Sequence, residues 1–262
     1  MSLILALPSR GRMADPASAF FADAGMALVQ NGSGREYTAR LAGIPNVEVV
    51  LLSASEIAQS LISGKAHLGV TGEDLIRETA GDRAAPIQLV KALGFGRADV
   101  VVAVPSAWID VETMDDLDDV ALAFHARHGR RMRVATKYLH LTREFFARAG
   151  IRDYRIVESL GATEGAPAAG SAELIVDITS TGATLAANQL KTLSDGTILR
   201  SQAQLTASLS ASWPAQAKAA AKHILDRIAA RADAKGTLIL RVRMDRGVDA
   251  ALPRFCLLYT SD

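Results

Sequence analysis

The sequence contains a single cysteine, Cys256, among its 262 residues. One thiol cannot form an intramolecular disulfide, and this usage is typical of a reducing compartment, so we expect a cytoplasmic protein. No apolar run approaches the roughly 20 residues that span a bilayer. The opening segment Leu3–Leu7 is also too short for a signal peptide and lacks a charged lead-in. We therefore expect no membrane partner and interpret this segment as a buried first strand.

The sequence also lacks an excess of charge of either sign. Its 29 lysines and arginines nearly balance 28 aspartates and glutamates, and no run of like charge stands out. A nucleic-acid surface normally needs a basic patch, so we expect no nucleic-acid partner. Small anionic ligands remain compatible with this balance, because a few arginines in a cleft do not require a basic protein.

Several catalytic signatures are missing. The sequence has no phosphate-binding P-loop, no Gly-x-Gly-x-x-Gly after a strand, and no Ser-His-Asp or paired-carboxylate pattern. His125 and His128 lie one helical turn apart without a third ligand nearby, which favours a solvated helix face over a metal site. We interpret Trp108, Trp213 and the Phe145–Phe146 pair as packing residues.

Short apolar runs alternate with helical patterns, which predicts an α/β fold with mainly parallel sheets. Strands are predicted over Leu3–Leu7, Val47–Leu52, Leu68–Val70, Ile87–Leu93, Val100–Val104, Met132–Ala135, Tyr154–Val157 and Leu174–Ile178. A last strand, Thr197–Ala203, is predicted to return to the first sheet. Two sheets joined by two crossings indicate a two-lobed protein with a cleft.

Helices are predicted from their caps and their apolar faces. Asp15–Pro16 is a favourable N-cap and first helical residue, and Ser53–Glu56 has the spacing of a capping box. Further helices are predicted over Met114–Arg127, Leu141–Ala149 and about Thr181–Leu190. The alanine-rich helix Ala215–Ala234 and the strand-like Leu238–Val242 are expected to belong to neither lobe.

One segment combines a buried strand with a loop of hydroxyls and glycine. Leu174–Ile178 leads into Thr179–Thr184, where a helix is predicted to begin. Unpaired amides at a helix start bind phosphate, and Gly182 would let the backbone approach it closely. Asp177 is placed to accept from ribose hydroxyls or to lie near a magnesium ion. Because Ser and Thr also lead at ordinary helix N-caps, the segment alone is equally compatible with a simple cap.

Six segments along the chain bear on this choice between a phosphate-binding loop and a simple helix cap. They are Ala6–Arg12, Gly69–Leu75, Leu93–Gly96 with Val102–Pro105, Val134–Tyr138, Gly161–Pro167 and Asp177–Thr184. In this order they resemble the ATP phosphoribosyltransferase family, over roughly residues 3–204. The resemblance implies a two-lobed, periplasmic-binding-protein-like (type II) catalytic core. It places lobe I at residues 1–102 and 191–212, and lobe II at 103–190.

The resemblance also implies a reaction, in which N1 of ATP attacks C1 of phosphoribosyl pyrophosphate and pyrophosphate leaves. N1 is unprotonated near neutral pH, so no general base is expected, and Arg12 and Arg35 are assigned an electrostatic role. The donor would be held by Asp177, Thr179, Ser180, Thr181, Gly182, Ala183 and Thr184. ATP would be held by Arg10, Gly11, Arg12, Gly72, Asp74 and Glu164. Mg²⁺ is the expected cofactor, placed near Asp177.

Two positions depart from the family pattern. Arg10 stands where the family usually has lysine, which keeps the charge but changes its geometry. Ser53 stands where many relatives have an arginine. The role of that arginine cannot be carried over, so another cation would have to replace it.

The resemblance leaves regulation open. Family members occur as a long form with a C-terminal regulatory domain, or as a short form with a partner resembling histidyl-tRNA synthetase. We expect a homo-oligomer, and we interpret residues 213–255 as the start of a regulatory domain. Residues 256–262 are interpreted as a non-native tail, so the native protein is expected to be longer.

Two other functions would account for part of this pattern. A non-catalytic solute-binding protein would share the two lobes, but the absent signal peptide and the hydroxyl loop argue against it. A different phosphoribosyltransferase would need only the loop, and the other five segments argue against that.

Overall fold

The computed structural model describes residues 2–30, 38–81 and 86–235. The first part of the chain forms β1 (Leu3–Pro8), α1 (Ala14–Asp23), β2 (Leu28–Gln30), β3 (Thr38–Leu41), β4 (Val47–Leu52), α2 (Ala54–Ile62), β5 (Leu68–Gly72), α3 (Glu73–Ala80) and β6 (Ile87–Ala92). The second part forms β7 (Ala98–Pro105), α4 (Met114–His128), β8 (Met132–Thr136), α5 (Leu139–Arg148), β9 (Tyr154–Glu158), the 3-10 helix Thr163–Gly165, β10 (Leu174–Thr179), α6 (Ala183–Ala187), β11 (Leu190–Ser201), β12 (Ala203–Ser208) and α7 (Ala215–Lys235).

The strands form two sheets, which confirms the predicted two-lobed α/β architecture. The first has the order β2-β3-β4-β1-β5-β12-β6 and the second β11-β7-β10-β8-β9. Strand β1 is parallel to β4 and β5, and β8 is parallel to β9 and β10. The expectation of mainly parallel sheets is wrong, because β3, β7, β11 and β12 all pair antiparallel with their neighbours.

The chain crosses between the sheets twice. It leaves the first sheet after β6 and returns to it between Ser201 and Ala203. The expected lobe boundaries at residues 102 and 190 therefore fall inside β7 and at the first residue of β11. Both strands remain paired beyond those points, with Leu190 opposite Pro105 and Ser201 opposite Ala98. The predicted last strand, Thr197–Ala203, is thus divided between β11 and β12, and only Ala203 lies in the first sheet.

The helix boundaries follow local capping chemistry. Ser53 and Glu56 form the predicted capping box of α2, with Glu56 N–H donating to the Ser53 hydroxyl at 3.3 Å and Ser53 N–H donating to the Glu56 carboxylate at 2.8 Å. Helix α1 begins at Ala14, slightly before the predicted Asp15–Pro16 start. Helix α6 is much shorter than predicted, because Leu190 already pairs with β7.

Each lobe has its own apolar core. In the first, Leu5, Phe21 and Val70 are fully buried between the sheet and its helices. In the second, Val102, Leu117 and Phe146 pack together on β7, α4 and α5. Phe146 confirms the packing role expected of the aromatic pair, and Trp108 packs against the same cluster. Among the described residues, no helix has both the length and the hydropathy needed to cross a bilayer.

Helix α7 packs against lobe I, which corrects the expectation that it belongs to neither lobe. Ala217, Ala220 and Ile224 are buried in the first core. Arg227 donates to the backbone carbonyls of Gly25 at 2.7 Å and Gly43 at 3.3 Å. Its alanine-rich face fits closely on the sheet because small side chains allow close approach. The expected strand Leu238–Val242 and the tail 256–262 lie outside the described residues.

Candidate active site

A cavity of about 300 Å³ lies where the two lobes meet. Lobe I contributes Arg12, Ser55, Gly72 and Asp74 to its walls, and lobe II contributes Lys137, Tyr138 and Ile178. Arg12 lies in the loop after β1, and Lys137 lies between β8 and α5. The cavity therefore brings two cations, one from each lobe, to the same space.

The loop after β10 carries the predicted phosphate-binding residues. Gly182 has a φ of 75°, in the left-handed region, and its N–H donates to the Thr179 hydroxyl at 2.9 Å. The Ala183 N–H donates to the Thr181 hydroxyl at 3.4 Å. Ser180, Thr181, Ala183 and Thr184 are exposed, and a β-carbon on Gly182 would meet no atom within 4 Å. The loop is thus open to a ligand, although two of its amides are already paired with hydroxyls.

Asp177 lies on β10 immediately before this loop and is largely buried. Burial raises the pKa of its carboxyl above the ordinary 3.8, and the charge of Glu164 adds to that rise. The Ile178 N–H, which donates to Asp177 at 2.8 Å, and the charge of Lys137 both act to lower the pKa. Lys137 Nζ lies 4.0 Å from the Asp177 carboxylate. Lys137, Asp177 and Glu164 therefore form one electrostatic group.

Asp74 has a different environment from the one expected of an ATP ligand. Only 5% of its surface is exposed. The Tyr138 hydroxyl donates to Asp74 Oδ2 at 2.8 Å, and the Ser201 hydroxyl donates to Oδ1 at 2.7 Å. Gly72 provides the room for this arrangement, because a β-carbon there would collide with Asp74 Oδ1. Both Gly72 and Asp74 line the cavity, but each has a clear structural role in its wall.

Tyr138 is the largest fully buried side chain described. Burial raises the pKa of its phenol well above the ordinary range, and the negative charge and hydrogen bond of Asp74 add to that rise. The charge of Asp177 acts in the same direction, whereas Arg12 acts against it. Tyr138 therefore remains a neutral hydrogen-bond donor at any physiological pH.

The arginine segment after β1 is exposed at residues 10–12. The pKa of Glu56 is lowered, first by its hydrogen bonds with Ser53 and then by the charge of Arg10. Arg10 thus brings a positive charge to the start of α2, where Ser53 stands in place of the family arginine. The predicted Arg35 lies outside the described residues.

Three residues could not be found from the sequence: Lys137 and Tyr138 line the cavity, and Ser201 holds Asp74 from outside it. Lys137 and Tyr138 lie in the segment Val134–Tyr138, but nothing local indicates which way their side chains point. Ser201 lies 127 positions from Asp74, and no sequence pattern connects them.

The described residues contain no group of three or more His, Cys, Asp or Glu side chains that could hold a metal by themselves. His125 instead makes a 2.7 Å contact through Nδ1 with the Asp153 carboxylate, and the His128 ring packs on Phe124.

The fold and the site define a class of protein. Two α/β lobes enclose a cavity with a cation on each side, and a glycine- and hydroxyl-rich loop adjoins it at Asp177. This arrangement is suited to binding two phosphate-bearing ligands in one cleft.

Comparison with known proteins identifies the family. The family model described as HisG: ATP phosphoribosyltransferase matches residues 53–230. An ATP phosphoribosyltransferase of Rhodopseudomonas palustris (strain BisB18) is 61% identical over 249 residues, covering 95% of this chain and 76% of that protein. An ATP phosphoribosyltransferase of Bradyrhizobium diazoefficiens gives the same four values. The chain belongs to the ATP phosphoribosyltransferase family, transferases of histidine biosynthesis.

Solved structures agree with the fold. The ATP phosphoribosyl transferase (HisG:HisZ) complex from Thermotoga maritima matches with a TM-score of 0.67 and 21% identity, over 90% of this chain and all of that chain. A histidine kinase sensor domain similar to periplasmic binding proteins matches with a TM-score of 0.50 and 14% identity, over 89% of this chain and 91% of that one. These likenesses confirm the periplasmic-binding-protein-like architecture. The family assignment excludes the alternative of a non-catalytic solute-binding protein.

Proposed function

We propose that the cavity at the lobe junction, together with the loop Thr179–Thr184, is where the phosphoribosyl group passes from phosphoribosyl pyrophosphate to N1 of ATP. The observation that supports this most directly is the convergence of Arg12 and Lys137 on one cavity, with Lys137 4.0 Å from Asp177 at the start of the loop. Two cations and a phosphate loop match the charges of the two substrates.

The loop would hold the 5′-phosphate of the donor. Thr181 and Thr184 are exposed and can donate hydroxyl bonds to phosphate oxygens. The amides of Ser180 and Thr181 make no hydrogen bond within the described part of the chain, so they are open to the same ligand. Because α6 has only five residues, its dipole is small, and we assign the binding mainly to these hydrogen bonds.

Lys137 and Arg12 would stabilise the pyrophosphate as it leaves. As the bond between C1 and the pyrophosphate oxygen breaks, negative charge grows on that oxygen, and a new bond forms between C1 and N1 of adenine. Fixed cations aimed at a developing charge lower the barrier without having to reorganise. Arg10 and Arg12 would also orient the ATP phosphates, and we assign Arg35 to the same side from the family pattern.

No side chain needs to act as a general base, because N1 carries no proton to remove. The protein's task is then to align the two substrates and to neutralise charge, and alignment alone can contribute several kcal/mol to a bimolecular reaction. Asp74 and Gly72 contribute to this by shaping the cavity wall. Glu164 would accept from the adenine amino group or from a ribose hydroxyl.

Magnesium fits this site only together with the donor. Asp177 offers the kind of hard oxygen ligand that Mg²⁺ prefers, but one carboxylate is too few for an all-protein cage. Mg²⁺ commonly binds through one or two carboxylates plus substrate phosphates. When bound, it would neutralise charge on the pyrophosphate, with Asp177 as its protein ligand.

The assembly state is also a proposal. The Thermotoga maritima protein is described as a HisG:HisZ complex. By that likeness we propose a homo-oligomer that can bind a regulatory subunit resembling histidyl-tRNA synthetase. The single cysteine supports a cytoplasmic location.

The test is an assay with ATP, phosphoribosyl pyrophosphate, Mg²⁺ and pyrophosphatase, followed by the ultraviolet change of N1-substituted adenine. Lys137→Ala should reduce kcat by roughly 100-fold, the scale of losing one stabilising group at a developing charge. Lys218→Ala, an exposed lysine on α7, is the matched control and should retain full activity. If Lys137→Ala were fully active, this site would be the wrong one.

A further inference from the structure

Helix α3 of lobe I holds the first turn of helix α5 of lobe II. Asp74 and Glu78 lie four positions apart, on the same face of α3. Asp74 accepts a hydrogen bond from the Tyr138 hydroxyl at 2.8 Å. The Glu78 carboxylate accepts from the backbone N–H of His140 at 3.0 Å and of Leu141 at 3.1 Å. Two carboxylates of one lobe therefore hold the same turn of the other.

The start of α5 depends on these contacts. Its N-cap residue is Tyr138, whose side chain makes no capping hydrogen bond. The first amides of a helix have no partner within the helix and carry the positive end of its dipole. Glu78 supplies the missing acceptor from the other lobe. The helices approach so closely that a β-carbon on Gly81, just after α3, would lie 3.0 Å from the His140 ring.

The same turn of chain carries a cation of the candidate active site. Lys137 immediately precedes Tyr138, and its Nζ lies 5.0 Å from the centre of the Tyr138 ring. It also reaches to 4.0 Å from Asp177. The backbone here is fixed by the Tyr138 N–H, which donates to the Thr136 hydroxyl at 2.9 Å. A movement of Tyr138 would therefore move Lys137 with it.

We propose that Asp74, Glu78 and Tyr138 form an interlobe latch, and that Tyr138 is a positioning residue for the reaction because it fixes Lys137 against Asp177. Tyr138 need not touch either substrate. Its hydroxyl joins the lobes at the cavity wall, and this sets how far apart Arg12 and Lys137 lie. This inference rests on the proposed active site and adds the device that closes it.

If the latch positions Lys137, its loss should lower kcat and leave KM for the donor nearly unchanged. The donor loop lies entirely on lobe II, so Tyr138→Phe leaves its contacts intact and should change KM for phosphoribosyl pyrophosphate less than about threefold. Alignment of groups from the two lobes is lost, so kcat should fall by about ten- to a hundredfold, the range for losing one hydrogen bond to a charged group. Glu78→Ala should lower kcat in the same way.

Ser201→Ala is the matched control. It removes one hydroxyl from the same Asp74 carboxylate, but Ser201 is the last residue of β11, where the chain crosses between the sheets, and it does not line the cavity. Its kcat should remain within about twofold of the parent. An Asp74→Ala, Tyr138→Phe double variant should lose no more activity than Asp74→Ala alone, because Asp74→Ala has already removed the hydrogen bond that Tyr138→Phe removes.

The results of these experiments distinguish a failure of the latch proposal from a failure of the proposed active site. An unchanged kcat in Tyr138→Phe, or an equal loss in Ser201→Ala, would overturn the latch while Lys137→Ala still identified the active site. Full activity of Lys137→Ala would remove both. Thermal melting of each variant verifies that a loss of kcat is measured on folded protein.

Discussion

The position that a β-carbon of residue 72 would occupy is filled by the Oδ1 atom of Asp74. Gly72 has an ordinary negative φ of −70°, so its backbone does not require glycine. What requires it is the buried carboxylate of Asp74, which is held by Ser201 and Tyr138. A glycine that the sequence suggested for ligand binding thus serves to accommodate a neighbouring side chain.

Gly72→Ala should therefore destabilise the protein by about 1–3 kcal/mol, the usual range for overpacking. The methyl group would displace Asp74 and weaken both of its hydroxyl contacts. Denaturant unfolding at neutral pH measures the change. Gly161→Ala is the control, because a β-carbon there meets no atom within 4 Å, and its unfolding free energy should stay within about 0.5 kcal/mol. Equal effects in the two variants would contradict the steric explanation.

Gly182→Val tests the phosphate loop. The side chain would protrude where phosphate oxygens must approach, so donor binding should weaken by about 2–4 kcal/mol, the scale of losing charge-assisted hydrogen bonds. ATP binding should change much less. Calorimetric titration of each substrate into the variant gives the two affinities.

The control for Gly182 must share its backbone strain. Gly129, at the end of α4, has a similar positive φ of 64° and equally open surroundings. Gly129→Val should cost stability in the same way but leave donor affinity unchanged. Unchanged donor affinity in Gly182→Val would remove the loop from the site.

The buried charge of Asp177 should make stability depend on pH. Burial raises the pKa of this carboxyl in the folded state above its ordinary 3.8, so folding favours the protonated form. Its contribution to stability is complete below 3.8 and is lost as pH rises through the folded pKa. Asp177→Asn should thus be more stable than the parent at pH 7 and lose that advantage in acid.

Asparagine can still accept from the Ile178 N–H, so this substitution isolates the charge. Unfolding curves at neutral and acid pH provide the comparison, and Asp226→Asn, on the exposed side of α7, is the control. Activity of Asp177→Asn should fall even though its stability rises. A variant that is less stable than the parent at pH 7 would show that the carboxylate stabilises the fold.

Ile224→Ala tests whether α7 belongs to lobe I. Ile224 is fully buried in the first core, so its truncation should cost about 2–5 kcal/mol. Lys222→Ala, which breaks only the exposed pair with Asp226, should cost less than about 1 kcal/mol. Thermal melting of both variants shows whether α7 is part of the lobe I core or separate from it. A negligible effect of Ile224→Ala would restore the view that this helix is separate from the core.

Much of the local structure could be predicted from the sequence because its causes are local. The capping box of Ser53 and Glu56 depends on two residues three positions apart, and the strand before Asp177 is a continuous apolar run. Helix α6 ends at Ala187, before the predicted Leu190, because the pairing of Leu190 with β7 competes with helix formation. That competition involves residues far apart in sequence and leaves no local pattern.

The sequence by itself determined most of the strands and helices, though not β2, β3 and α3, together with the hydroxyl loop after β10 and the family, since these follow from patterns within short segments. Only the tertiary structure decided that Tyr138 meets Asp74, 64 positions away, and that Lys137 lies beside Asp177. It also decided that α7 packs on lobe I. Such contacts arise from how two sheets and their helices pack. Apolar periodicity tells which face is buried, but not which partner buries it.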